Sequence, residues 1–285
     1  MARIVQFIHP GPEHGYDEIV KEKKHKKWNS NNHQRKFCTG KGNFIDENGN
    51  NEFGDFRFWS EWEPPSFVDT TGQKSPSPKF LHSPYLPANI SGKRIITGSQ
   101  NTDPCVFGEY FKYFICQQIR SNGKLTQMSK MDEGDMILFG SMKNKKFTID
   151  TVFVVDGTVE VFNVEPEYKD ISINRIANYS STGCKIFRGK IFQNNKDLFS
   201  FTPASYNCFE RIEVPIGLPL LLNNYITHNL TQGRRVSVVD DVTVQKVWNE
   251  LKSITLNKGL FLAHKIEWPK NVCVDQNDIN ESGKC

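Results

Sequence analysis

MDEGDMILFGSMKNKKFTIDTVFVV, residues 131–155, reads as a turn, a strand, a basic turn and a second strand. Glu133-Gly134-Asp135 is a tight turn that feeds the apolar run Met136 to Phe139, and Gly140-Ser141 closes that strand. Lys143, Lys145 and Lys146 mark the next turn. From Phe147 to Val155 the chain is rich in β-branched and aromatic residues, which suit a pleated, half-buried surface. A hairpin of this composition sets the expectation of β structure for the chain around it.

The composition permits such a core. Of 285 residues, 37% are hydrophobic and 12% aromatic, which places the chain among folded rather than disordered proteins. The length accommodates one large domain or two small ones. We expect a single globular domain over 1–270, divisible into an N-terminal subdomain (1–68), a linker (69–93) and a β-rich main part (94–270), followed by a loose tail at 271–285. The net charge of +4 permits a polyanionic partner without requiring one. The seven cysteines are scattered with no C-x-x-C pair, and residues 1–8 lack the pattern of a signal peptide. Reduced thiols and a cytoplasmic location are therefore expected. No apolar run approaches the roughly 18 residues of a membrane helix, so no membrane partner is expected.

The hairpin at 131–155 resembles those of the PUA, ASCH and EVE group of pseudo-barrels. That resemblance implies an α+β fold built on a PUA-like antiparallel β-barrel or strongly bent sheet, with a few peripheral helices. It implies recognition of nucleic acid or a nucleotide-like ligand, including a modified or extruded base. In prokaryotes such domains are often attached to RNA modification or to the handling of modified DNA.

Other segments fill in the organisation. Ala2 to Ile8 reads as a first strand that stops at His9-Pro10-Gly11-Pro12. Residues 16–28 read as a short helix. Residues 38–55 form a loop or hairpin turning at Asn48-Gly49, and Phe56 to Trp62 a strand ended by Pro64-Pro65. Cys105 to Arg120 is strongly aromatic, and its periodicity does not separate strand from helix. Residues 184–203 read as two strands around Asn194-Asn195. Val244, Val247, Trp248, Leu251 and Ile254 recur at helical spacing behind the N-cap candidates Asp240 and Asp241.

The densest chemistry lies between residues 9 and 63. As a binding site, Trp28, Trp59 and Trp62 offer flat faces on which a base stacks, worth about 1–3 kcal/mol per base. Trp59 and Trp62 are three apart, so in one strand they face opposite sides. Arg35 and Lys36, with the lysines at 21–27, would hold phosphates, and Glu61 or Glu63 would accept hydrogen bonds from a base edge. As a catalytic site, His9, Glu13, His14 and His33 would supply general acids and bases near neutral pH. The H-x-x-x-E-H spacing of His9, Glu13 and His14 is not the zinc motif H-E-x-x-H, and no cysteine pair helps, so no metal or cofactor is expected. The bland alternatives stand beside these: strand tryptophans are commonly core, and a lysine run is commonly a solvated helix face.

Asp150 interrupts an apolar strand. Buried there, it requires a cation, with Arg57, Arg120 or a lysine of the 143–146 turn as candidates. The favoured function is nucleic-acid or nucleotide-like ligand recognition. The rivals are an enzyme acting on a nucleotide or nucleic acid, and a protein-contact component of an antiviral (phage-defence) system.

Overall fold

The computed structural model describes residues 1–8, 11, 13–21, 24–29, 33–72, 78–95, 102–179, 183–194, 197–214, 220–230 and 233–274. In chain order the elements are β1 (Ala2–Ile8), α1 (Tyr16–Lys21), β2 (His25–Lys26), β3 (Arg35–Ile45), β4 (Asn51–Glu61), β5 (Ser66–Thr70), β6 (Phe80–Pro84), β7 (Leu86–Ala88) and β8 (Lys112–Tyr113). They continue with β9 (Met136–Lys143), β10 (Lys146–Val159), α2 (Pro166–Tyr179), β11 (Ile186–Gly189), β12 (Thr202–Ser205), β13 (Ile212–Glu213), β14 (Gly233–Val239), α3 (Asp241–Asn257), β15 (Phe261–Ile266) and β16 (Asn271–Cys273).

The segment at 131–155 forms the expected hairpin. β9 and β10 pair antiparallel from Lys143↔Lys146, with Asn144 and Lys145 between them at φ +50° and +61°. Two positive-φ residues make the turn that matches the twist of paired strands. The ladder slips between Ile149 and Thr151, and this bulge sets Asp150 apart from the ladder on either side. Around the hairpin the first sheet runs β14-β1-β9-β10-β11-β8, with β13 on β10. β1 lies parallel to β9. Asp135 anchors that pairing: its carboxylate accepts the Arg3 backbone N–H at 2.6 Å and the Arg3 guanidinium at 2.7 Å.

The second sheet runs β15-β12-β4-β3-β6-β5-β2. β15 borders β12 and also β3, so this sheet is strongly bent. At Gly42 the approach of β15 leaves no room for a side chain, since a Cβ would overlap the Lys265 carbonyl. α3 opens on Asp240, whose side chain accepts the Thr243 N–H at 2.6 Å. Its buried stripe of Val244, Val247, Trp248 and Leu251 packs on one core cluster, and Trp248 donates to the Phe199 carbonyl at 2.9 Å.

The α+β class stands, with β structure dominant. The architecture is two bent, mixed sheets and not a closed antiparallel barrel: β1–β9 and β3–β6 are parallel pairs. β1 lies inside the first sheet, so residues 1–68 are divided between the two sheets. The proline-rich stretch 69–93 carries β6 and β7 where a linker was expected, because β6 pairs along its whole length with β5. Residues 271–273 of the expected tail pair with β7, and 275–285 lie outside the described residues. The aromatic stretch 105–120 forms only the short β8. The Asp103 carboxylate accepts the Phe114 and Cys116 N–H groups at 2.9 and 2.8 Å, replacing ladder hydrogen bonds with side-chain ones. Among the described residues no helix is long and apolar enough to cross a membrane.

Candidate functional site

β3 and β4 pair in register over their full length, so side chains directly opposite share a face. The even-numbered face carries Cys38, Phe44, Phe56 and Phe58 into the main aromatic core. The odd-numbered face carries Arg35 opposite Glu61 and Phe37 opposite Trp59. Beyond the ends of the ladder, His33 and Glu63 continue that second face.

There the His33 imidazole Nδ1 lies 2.5 Å from a Glu61 carboxylate oxygen and 2.9 Å from Glu63 Oε1. Both carboxylates are fully buried, while a quarter of the His33 side chain is exposed. Burial opposes charge on the ring, but Glu61 and then Glu63 outweigh it, and the His33 pKa rises from 6.5 to about 11. Burial, reinforced by Glu61, raises the Glu63 pKa against the pull of His33.

Deeper on the same face, Arg35 pairs with Asp150. Arg211 makes a two-pronged contact with the same carboxylate, Nε and Nη2 each at 2.8 Å, and Nη2 also donates to Ser141 Oγ at 2.7 Å. The Arg211 guanidinium lies 4.9 Å over the Trp59 ring. The expected partner of Asp150 therefore needs correction. Arg57, Arg120 and the 143–146 lysines do not hold it; Arg35 on β3 of the second sheet and Arg211, just before β13 of the first, meet it instead.

Lys36 points to the opposite face, fully buried, and donates to the Trp62 carbonyl. Burial lowers its pKa to about 8, against the pull of Glu63. The Asn29 N–H donates to the Glu63 carbonyl at 3.0 Å, which ties the segment around Trp28 to the end of the hairpin. His14 is buried with Nδ1 2.8 Å from Glu18, and its ring lies 5.7 Å from that of His82, whose Nδ1 meets Ser66 Oγ at 2.9 Å. Burial, with Lys36 next, pushes both histidines well below their ordinary pKa, so both are neutral. Glu13 accepts the Lys79 N–H at 2.9 Å. His9 lies outside the described residues.

Several residues named from the sequence meet in space, in surroundings that differ from the expected open site. Trp28, Trp59 and Trp62 are buried and present no open stacking faces. Trp62 packs on Phe107, and its indole N–H reaches the Pro65 carbonyl at 2.9 Å. Arg35 and Lys36 are buried as well, one on Asp150 and the other on a carbonyl, and so are not placed to meet phosphate. His14 has its own partners, Glu18 and His82. Arg211 and His82 were missed; only the demand for a cation at Asp150 pointed toward the first.

His33 Nδ1 and one oxygen each of Glu61 and Glu63 lie within 4.8 Å of one another, a set one ion could reach. The local charge does not call for an ion. His33, Arg35, Lys36 and Arg211 already stand as basic groups against the three carboxylates of Glu61, Glu63 and Asp150.

No protein-family model, curated protein or solved structure matches this chain.

Proposed function

We propose that the protein binds a nucleotide-like ligand by the hydrogen-bonding edge of its base, at the end of the β3–β4 hairpin where His33, Glu61 and Glu63 meet. The observation that carries this reading is a set of buried polar atoms. Trp28 Nε1, Asn29 Nδ2, Trp59 Nε1 and Glu63 Oε2 have no hydrogen-bond partner among the described residues. Buried polar atoms are nearly always satisfied in folded proteins, and an unpaired one costs about 1–3 kcal/mol. Donors and an acceptor of this kind suit a flat ligand carrying both, as a base edge does. In this reading the tryptophans contribute indole N–H groups rather than ring faces. The PUA-like character of residues 131–155, and the choice of a modified or extruded base, belong to the same proposal.

The test is calorimetric titration with nucleosides, modified nucleosides, short DNA and short RNA. A ligand at 100 times its dissociation constant also raises stability by about 2.7 kcal/mol, which a thermal shift detects. Glu63→Gln keeps the volume and removes the charge; it is expected to abolish the binding while the protein stays folded. Binding that survives Glu63→Gln unchanged would sink the proposal, and an inert panel would move the reading to a protein partner.

A catalytic reading of the same centre is favoured by one further observation. The proton affinities of His33 and Glu63 are both raised, and displaced pKa values gather at sites of acid–base chemistry. Product formation from the bound ligand, lost in His33→Gln with affinity retained, distinguishes an enzyme from a reader.

A further inference from the structure

On the far side of the same hairpin, β3 lacks a strand neighbour over a short stretch. Its outer edge pairs with β15 at Gly42–Ile45 and with β6 only at Cys38. Between them the chain leaves β15 through Glu267, Trp268 and Pro269, and a single backbone bond, Glu267 N–H to the Lys41 carbonyl at 2.8 Å, crosses the gap. The gap opens into a cavity of about 620 Å³. That is within the range of small-molecule sites, roughly 300–1,000 Å³.

Three cations from three segments line it: Lys41 on β3, Arg57 on β4 and Lys270 beyond β15. Asp55 and Glu267 line it as well. Lys41 stands directly opposite Asp55 in the ladder, yet its ammonium lies 5.1 Å over the Phe53 ring. None of these five charged side chains makes an ion pair or a side-chain hydrogen bond among the described residues. Elsewhere neighbouring charges do pair, as Lys265 does with Glu109 at 2.7 Å and Arg94 with Asp170 at 2.6 Å. The half-buried Trp268, packed on Phe107, supplies an apolar wall.

We propose that this cavity is a second ligand site, for a small phosphorylated molecule with a flat ring, of the nucleoside monophosphate class. Lys41, Arg57 and Lys270 take the phosphate, where charge-assisted hydrogen bonds are the strong ones. Trp268 lies against the ring, and Asp55 and Glu267 accept from its amino or hydroxyl groups. The site is separate from the His33 centre, at the middle of the β3–β4 ladder rather than at its Arg35–Glu61 end, and its test is independent of that reading.

The decisive quantity is the affinity of a nucleoside monophosphate relative to its parent nucleoside, measured by calorimetry at low salt. The wild-type protein is expected to bind the monophosphate at least about tenfold more tightly, and salt to reduce that gain. Arg57→Gln and Lys270→Gln each remove most of the gain, with circular dichroism confirming the fold. Trp268→Phe removes the fluorescence change that accompanies binding. A short oligonucleotide in place of the monophosphate distinguishes a free nucleotide from one within a strand. The proposal is overturned if wild-type protein shows no saturable binding of monophosphates, or no preference over nucleosides. It is also overturned if the preference survives both glutamine variants. Failure of the His33 reading shows differently, as nucleoside binding indifferent to Glu63→Gln.

Discussion

The two faces of the β3–β4 hairpin solve burial in different ways. On the even-numbered face Cys38, Phe44, Phe56 and Phe58 bury apolar surface, and the one cation there, Lys36, is received by a backbone carbonyl. On the odd-numbered face Arg35, Glu61 and their neighbours bury charge against charge. Apolar burial stabilises in proportion to area, about 25 cal/mol per Å². A buried ion pair roughly offsets its own desolvation, so it contributes little net stability while remaining costly to break. A chain selected for stability alone has little use for the second solution. Its presence opposite an ordinary aromatic core is the reason to look for function on that face.

The largest effect should come from Asp150. Asp150→Ala leaves Arg35 and Arg211 buried without their shared carboxylate and should cost about 3–5 kcal/mol in chemical denaturation. A loss below about 1 kcal/mol would show that water reaches the pair and would erase the contrast between the faces. On the aromatic face, Trp62→Phe keeps the ring packing on Phe107 but loses the bond to the Pro65 carbonyl. That change is expected to cost about 1–3 kcal/mol, independent of pH between 6 and 10.

The third test sharpens the comparison through pH. The folded-state pKa of His33 is raised from 6.5 to about 11. A raised histidine contributes its full stabilisation below the unfolded value and loses it as pH climbs through the folded one. The stability advantage of wild type over His33→Gln should therefore be largest near pH 6 and shrink steadily toward pH 11. Lys36, lowered to about 8, runs the other way across pH 8 to 10.5, which is why the difference between the two proteins is the informative quantity. An advantage that does not change with pH would mean that His33 is neutral beside Glu61 and Glu63.

Local signals carried much of this into the sequence. The hairpin at 131–155, the turn at Asn48-Gly49 and the helix from Asp241 were all legible, because each depends on residues within a few positions of one another. The period of two also put Trp59 and Trp62 on opposite faces. What the sequence concealed was long-range. Nothing near Asp150 announces Arg211 or Arg35, and nothing near β1 announces its parallel pairing with β9. The burial of Trp28, Trp59 and Trp62 was hidden for a related reason. Residue type shows that an indole needs an apolar home for its ring, and only the assembled core shows whether that home is inside the protein.

The double pairing of β15 gives this chain an unusual schedule. Strand β3 emerges early, yet its partner at Leu262–Ile266 lies roughly 220 residues later. At a synthesis rate of about 5–20 residues per second, the inner strand of the second sheet waits on the order of 10–40 s with part of its edge exposed. Shortened chains ending before residue 261 never cover it. A bare strand edge recruits other strands, so premature termination late in this chain endangers more than the residues it removes.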